Sequence, residues 1–175
     1  MNPIFLDCES AGLRGDIFSA ALIGPNGEIL FDGFFRHEAL KTNTWLAENV
    51  EPNLTGTEFS SIDRFRAEFA NAWRKARFEY GIGDYNTLAV VAHMGSPVES
   101  NFFQQLFDAG ELGEFEGPYP LLDTAPLLLA AGYDPTSEQG YANRVGITLP
   151  EGYKPHSALS DAELTRRVWK KLMMI

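Results

Sequence analysis

Three short apolar segments occupy the first 36 residues, before any helical pattern begins. They cover residues 4–8, 17–23 and 28–36, and the Pro-Asn-Gly sequence at 25–27 is typical of a tight turn between the last two. Together these segments predict an antiparallel three-stranded meander. A chain that begins with strands in this way favours a layered fold built on a sheet over a helical bundle.

The rest of the chain alternates helical patterns with short apolar segments. Further strands are predicted at 87–92 and 119–122, and helices at 38–50, 60–80, 98–109, 124–131, 136–145 and 158–173. The segment 87–92 is apolar almost throughout, which is typical of a strand covered on both faces. This order predicts an α/β fold with a mixed sheet, and the length of 175 residues predicts one domain spanning 1–175.

The charge balance limits which partners the chain can bind. The sequence has 24 acidic and 14 basic residues, a formal net charge of -10, which disfavours coating of duplex DNA or an anionic membrane. A small site where bound cations reverse the local charge is still compatible with nucleic acid. The single cysteine, Cys8, excludes an intrachain disulfide. With no signal peptide or spanning segment recognisable, we expect a cytoplasmic protein without a membrane partner.

Two acidic residues, Asp7 and Glu9, stand at the end of the first predicted strand. Because side chains alternate across a strand, both point to one side and Cys8 points to the other. Two neighbouring carboxylates repel each other unless a positive charge lies between them, so the pair predicts a hard divalent cation. A strand that simply exits into solvent explains this tripeptide, taken alone, at least as well.

A second group of polar residues precedes the last predicted helix. His156 lies in the loop before it, and Ser157 or Ser160 is available as the N-cap, with Ser160 and Glu163 forming a capping box. Asp161 then lies in the first turn, where the helix dipole favours a carboxylate. Taken alone, this group is better explained as a first-turn acid beside an ordinary surface histidine.

The two groups together resemble the motifs of a known family. Residues 7–13, Asp-Cys-Glu-Ser-Ala-Gly-Leu, resemble the D-x-E-[ST]-x-G-L opening motif of the DEDDh (DnaQ-like) exonucleases. Residues 156–162 resemble their closing H-x-A-x-x-D-A motif, and 122–124 and 143–147 resemble two elements between them. The resemblance implies a ribonuclease-H-like fold, with a five-stranded mixed sheet flanked by α-helices. It also implies two-metal hydrolysis of phosphodiester bonds from a 3′ end.

The resemblance assigns roles to eight residues. Four acids would ligate two Mg²⁺ or Mn²⁺ ions: Asp7, Glu9, Glu99 and Asp161. His156 would take the proton of the attacking water as general base. Three residues of the opening motif would hold the 3′-terminal nucleotide: Ser10, Gly12 and Leu13. The implied substrate is single-stranded or short nucleic acid, RNA or DNA, and the resemblance also suggests a homodimer.

The middle motif departs from the family pattern, H-N-x-x-F-D. Here the acid is Glu99, which is one residue further from His93 and one methylene longer than aspartate. Pro97 suits the first turn of a helix, so Glu99 would lie near a helix N-terminus. A competing acid, Asp84, precedes the strand at 87–92 and would lie at the wrong end of the sheet. His93 is interpreted as a ligand or orienting donor, or, more commonly for such a histidine, as a boundary residue.

Three aromatic residues are candidates for stacking on bases: Trp45, Phe102 and Phe103. Ordinary core packing is the preferred interpretation of all three. Two functions other than exonuclease are also compatible with the sequence. One is a catalytically weakened family member that binds a nucleic-acid end or a protein. The other is a nucleotide or dinucleotide hydrolase of the same fold.

Overall fold

The computed structural model describes residues 3–82, 88–149 and 151–174. Asp84 and the first residue of the strand predicted at 87–92 lie outside these ranges. The described strands are β1 (Ile4–Ser10), β2 (Ile17–Ile23), β3 (Ile29–Phe35), β4 (Thr57–Phe59), β5 (Val90–Ala92) and β6 (Leu121–Asp123). The described helices are α1 (Ala39–Thr42), α2 (Thr44–Asn49), α3 (Ile62–Tyr80), α4 (Val98–Asp108), α5 (Thr124–Ala130), α6 (Glu138–Val145) and α7 (Ala158–Leu172).

The strands form one mixed sheet in the order β4-β3-β2-β1-β5-β6. β1, β2 and β3 pair antiparallel, which confirms the predicted meander, while β5 and β6 extend the sheet in parallel beside β1. The α/β class is therefore confirmed. The expected number of five strands is wrong, because the three-residue β4 pairs in parallel with residues 33–35 at the opposite edge and adds a sixth.

β1 sends its side chains to both faces of the sheet. Ile4, Leu6 and Cys8 enter the larger core, which α3 and α4 cover. Phe5 points the other way and packs in a smaller cluster with Ala158 of α7. Because side chains alternate along a strand, Asp7 and Glu9 lie on the same face as Phe5, the face that α7 covers.

Aromatic packing between α3 and α4 fixes the position of α4 over the sheet. Phe69 of α3 and Phe102 of α4 are fully buried, and their ring centroids lie 4.6 Å apart. Phe103 is also buried and packs against Trp73 at 4.9 Å. The core-packing interpretation of Phe102 and Phe103 is thus confirmed, and this packing anchors the helix whose first turn carries Glu99.

The helix predicted at 38–50 is interrupted. α1 ends at Thr42, and the extended Asn43 accepts hydrogen bonds from the backbone N–H groups of Trp45 and Leu46, so it caps a second helix, α2. Asparagine is among the preferred N-cap residues, which explains the break. Trp45 is 51% exposed, so its interpretation as a core residue is wrong. Among the described residues, no helix combines the length and the apolarity needed to cross a bilayer.

Candidate metal centre

Three carboxylates from opposite ends of the sequence meet where β1 passes beneath the first turn of α7. One oxygen from each of Asp7, Glu9 and Asp161 lies within 4.8 Å of the other two. Two small residues of α7, Ala158 and Ala162, are buried against the sheet in this region, and small side chains allow the helix to approach β1 closely. We refer to Asp7, Glu9 and Asp161 as the carboxylate cluster.

The carboxylates of Asp7 and Glu9 have no compensating partner in the described part of the chain: no group there donates a hydrogen bond to them or pairs with their charge. Burial, together with the charges of neighbouring acids, raises the pKa of Asp7 well above its usual range and that of Glu9 to about 8. Holding these buried carboxylates close together in ionised form costs free energy when no cation is bound. Three carboxylates so placed are a donor set that fits Mg²⁺ or Mn²⁺.

Asp161 differs from the other two because both of its oxygens accept hydrogen bonds. The hydroxyl of Tyr153 donates to Oδ1 at 2.8 Å, and the backbone N–H of His156 donates to Oδ2 at 2.9 Å. Burial still raises the pKa of Asp161, and these two bonds oppose that rise. They also fix the orientation of the carboxylate toward β1.

The N-terminus of α7 is built differently from the expected capping box. Ser157 is the N-cap residue, but its buried hydroxyl has no hydrogen-bond partner in the described residues, and Ser160 lies inside the helix. The capping box of Ser160 with Glu163 is therefore wrong, and Glu163 instead pairs with Arg166 and Arg167. The prediction that Asp161 lies in the first turn is confirmed.

His156 lies beside the cluster on an exposed loop. Its backbone is left-handed, with φ of 60°, and its ring packs edge-on against Trp45 with centroids 5.0 Å apart. The carbonyl of the preceding Pro155 accepts a hydrogen bond from the side chain of Asn53 at 3.1 Å. These contacts tie the loop to the region around α2, which places an exposed indole next to the proposed general base.

Glu99 does not join the carboxylate cluster, although it lies next to the same strand. It is 3% exposed, and its Oε1 accepts the backbone N–H of Cys8 at 3.2 Å. That N–H is available to Glu99 because β5 pairs with only Ile4 and Phe5 of β1, so no neighbouring strand binds the N–H of Cys8 on this side. Burial raises the pKa of Glu99 to about 8.

His93 lies outside the carboxylate cluster and contacts a threonine instead. Its Nδ1 lies 2.9 Å from Oγ1 of Thr124, and burial lowers its pKa. It belongs to none of the groups of metal-ligating side chains found among the described residues. The structure thus places His93 beside Thr124, and its roles as a ligand, an orienting donor or a boundary residue stay predictions from the sequence.

The three proposed substrate-binding residues follow the cluster directly along the chain. Ser10 is the last residue of β1, and Gly12 has φ of 156° with no atom within 4 Å of where a Cβ would stand. Leu13 is 70% exposed, so its side chain is available to a ligand. Trp45, which is 51% exposed and contacts the ring of His156, is a second exposed apolar side chain.

Sequence patterns did not single out Tyr153 or Glu138. Tyr153 lies three residues before His156 in a loop, where periodicity carries no information. Glu138 begins a short helix and is 5% exposed, whereas an acid at a helix start normally faces solvent. Only the packing of several helices around Glu138 identifies it.

Comparison with known proteins identifies no family for this chain. No protein-family model matches the chain, and no curated protein matches it at a significant level. The resemblance to the DEDDh exonucleases consequently depends on sequence motifs alone, chiefly residues 7–13 and 156–162. The fold brings the acids of these two motifs within 4.8 Å of one another.

Proposed function

We propose that this protein is a metal-dependent 3′→5′ exonuclease of the DEDDh group, with a ribonuclease-H-like fold, acting on single-stranded or short RNA or DNA. The observation that carries the proposal is the convergence of Asp7, Glu9 and Asp161 from motifs about 150 residues apart in the sequence. The strand order β3-β2-β1-β5-β6, with β4 as an added edge strand, supports the fold assignment.

The proposed activity needs metal ligands and a general base, and this chain offers residues for both. Asp7, Glu9 and Asp161 would hold the cations, with Glu99 supplying a further carboxylate from beside β1. Mg²⁺ or Mn²⁺ held there would activate water for attack and neutralise the charge of the phosphate. His156 would act as the general base that takes a proton from the attacking water.

The surrounding residues orient the substrate's end. Leu13 and Trp45 offer exposed apolar surfaces on which a terminal base can stack, and stacking needs no sequence readout. No atom lies within 4 Å of where a Cβ of Gly12 would stand, so a ligand can approach the backbone there. Because the chain carries a net charge of -10, we expect short or single strands held at one end rather than long duplexes.

The test is a trimming assay on 5′-labelled 20-mers of RNA and DNA and on dinucleotides, each with Mn²⁺, Mg²⁺ or EDTA. We expect metal-dependent release of mononucleotides from the 3′ end, abolished in Asp7→Ala/Glu9→Ala. Asp108→Asn is the matched control, because Asp108 is an exposed acid on α4. Cleavage of dinucleotides but not of 20-mers would instead select the nucleotide hydrolase. No metal-dependent cleavage of any substrate would reject both.

A second candidate is a weakened family member that binds a nucleic-acid end without cleaving it. The observation in its favour is the position of Glu99, which contacts Cys8 and lies outside the carboxylate cluster. Tight binding of a 3′ end without turnover, unaffected by Asp7→Ala, would favour this candidate. The homodimer and the cytoplasmic location stay predictions from the sequence, and sedimentation velocity tests the first.

A further inference from the structure

Glu138 is a buried carboxylate that the proposed mechanism does not use. Its two oxygens accept hydrogen bonds from hydroxyls of two other helices: Oε1 from Thr124 at 2.6 Å and Oε2 from Thr165 at 2.7 Å. The closest cationic candidate among the described residues is Nδ1 of His93 at 3.8 Å, on a ring whose pKa burial lowers. A carboxylate buried against neutral hydroxyls is costly, and an apolar side chain would fill the space without that cost.

The contact with Thr165 links Glu138 to the carboxylate cluster. Thr165 lies four residues after Asp161 on α7, and residues four apart share one face of a helix. The two side chains therefore lie on the same side of α7, one turn apart. By binding the Thr165 hydroxyl, Glu138 holds α7 against rotation at the turn that follows Asp161.

The contact with Thr124 links Glu138 to the other side of the site. Thr124 directly follows Asp123, whose carboxylate accepts the backbone N–H groups of residues 94 and 95 at 3.0 and 3.1 Å. Those residues form the turn that leads into α4 and so to Glu99. Hydrogen bonds thus join the turn before Glu99 to Asp123, and the next residue, Thr124, is joined through Glu138 to the helix that carries Asp161.

We propose that Glu138 is a positioning residue for the metal-binding carboxylates, holding Asp161 on α7 in register with the β1 and α4 side of the site through its contacts to Thr165 and Thr124. This inference rests on the proposed metal-dependent function, because it concerns the same carboxylates. Glu138 lies outside the carboxylate cluster, so its proposed role is to orient the ligands rather than to bind the cation. Loss of such a supporting partner typically costs about 10–100-fold in metal affinity or activity.

A matched pair of substitutions at Thr165 tests the proposal. Thr165→Val keeps the shape but removes the hydroxyl, whereas Thr165→Ser keeps the hydroxyl but removes a buried methyl group. We expect Thr165→Val to weaken Mn²⁺ binding, titrated with MnCl₂ by calorimetry, by about 10-fold, and Thr165→Ser to bind as the wild type does. A role in packing alone predicts the opposite ranking. Thr136→Val, which removes an exposed hydroxyl from the loop before Glu138, is the control and should change nothing.

Thermal unfolding of each variant separates positioning from folding. If Thr165→Val does not fold, the pair Thr124→Val and Thr124→Ser tests the other hydroxyl contact in the same way, with the same expected ranking. Equal Mn²⁺ affinity in wild type and folded valine variants would overturn this inference and leave the proposed function intact. A wild-type protein that binds no Mn²⁺ would overturn both.

Discussion

The backbone N–H of His156 donates a hydrogen bond to Oδ2 of Asp161 at 2.9 Å. This bond joins the proposed general base to a proposed metal ligand through the main chain rather than through the imidazole. It requires the left-handed backbone of His156, with φ of 60°, which turns the loop back onto the helix start. The backbone of His156 therefore orients the carboxylate, while its ring packs against Trp45.

We expect His156→Asn to lower kcat by about 10²–10⁴-fold, the usual contribution of a general base. Asparagine tolerates the left-handed conformation, so the backbone bond to Asp161 should persist. Mn²⁺ affinity, measured by calorimetry, should therefore equal that of the wild type. An unchanged kcat would show that a group other than His156 accepts the proton.

Asp7→Asn should abolish metal-dependent cleavage and yet stabilise the metal-free protein at pH 8. In the unfolded chain the Asp7 carboxyl is ionised at pH 8, whereas in the folded protein burial and the neighbouring acids oppose its charge, and no described group donates a hydrogen bond to it. Each kcal/mol regained should raise Tm by about 2–4 °C. Circular dichroism melts in EDTA measure this, and the difference between variant and wild type should shrink at pH 5. A lower Tm for the variant at pH 8 would contradict the prediction.

The metal-free protein should lose stability as the pH rises from 5 to 8. Burial raises the pKa of Glu9 and Glu99 to about 8 from an ordinary value of 4.5, and that of Glu138 to about 7. Between the ordinary pKa and the raised pKa of each group, the folded state binds more protons than the unfolded state. The free energy of unfolding therefore falls as the pH rises through this range. Urea unfolding in EDTA at a series of pH values measures the slope.

Two additions sharpen this measurement. Glu138→Gln removes one titrating group and should make the decline with pH shallower, since an amide does not ionise. Saturating Mn²⁺ at pH 8 should restore stability, because the cation binds the ionised folded form. A free energy of unfolding that rises between pH 5 and 8 in EDTA would contradict the assigned pKa shifts.

Trp45→Ala should weaken substrate binding without destabilising the fold. Its indole is 51% exposed and contacts the ring of His156. Loss of one stacked base costs about 1–3 kcal/mol, so the KM for a short oligonucleotide should rise several-fold or more. Steady-state kinetics and a thermal melt check both parts, and a KM equal to that of the wild type would remove Trp45 from the binding surface.

Two phenylalanines provide a matched test of the core. Phe102→Ala should lower the free energy of unfolding by about 3–5 kcal/mol, because its fully buried ring joins α4 to α3. Phe115→Ala should change it by at most about 0.5 kcal/mol, because that ring is 89% exposed. Denaturant titrations compare the two. Similar losses for both variants would contradict the assigned positions of these rings.

Local patterns in the sequence determined the meander, the α/β class and the face on which Asp7 and Glu9 lie. Each of these depends on neighbouring residues: alternation along a strand, a tight turn, or a favourable acid in the first turn of a helix, as at Asp161. Such preferences act within a few residues and can be recognised without knowing what packs against them. The two terminal motifs could be matched to a family for the same reason.

Tertiary packing alone decided the sixth strand, the exposure of Trp45 and the contact of Glu99 with the β1 backbone. Glu99 and Cys8 are 91 positions apart, and Glu138 and Thr165 are 27 apart, so no local pattern links them. Whether a buried carboxylate finds hydroxyl partners depends on how several helices pack at once. The sequence by itself determined which acids are available, and the packing of α4, α6 and α7 decided which of them meet.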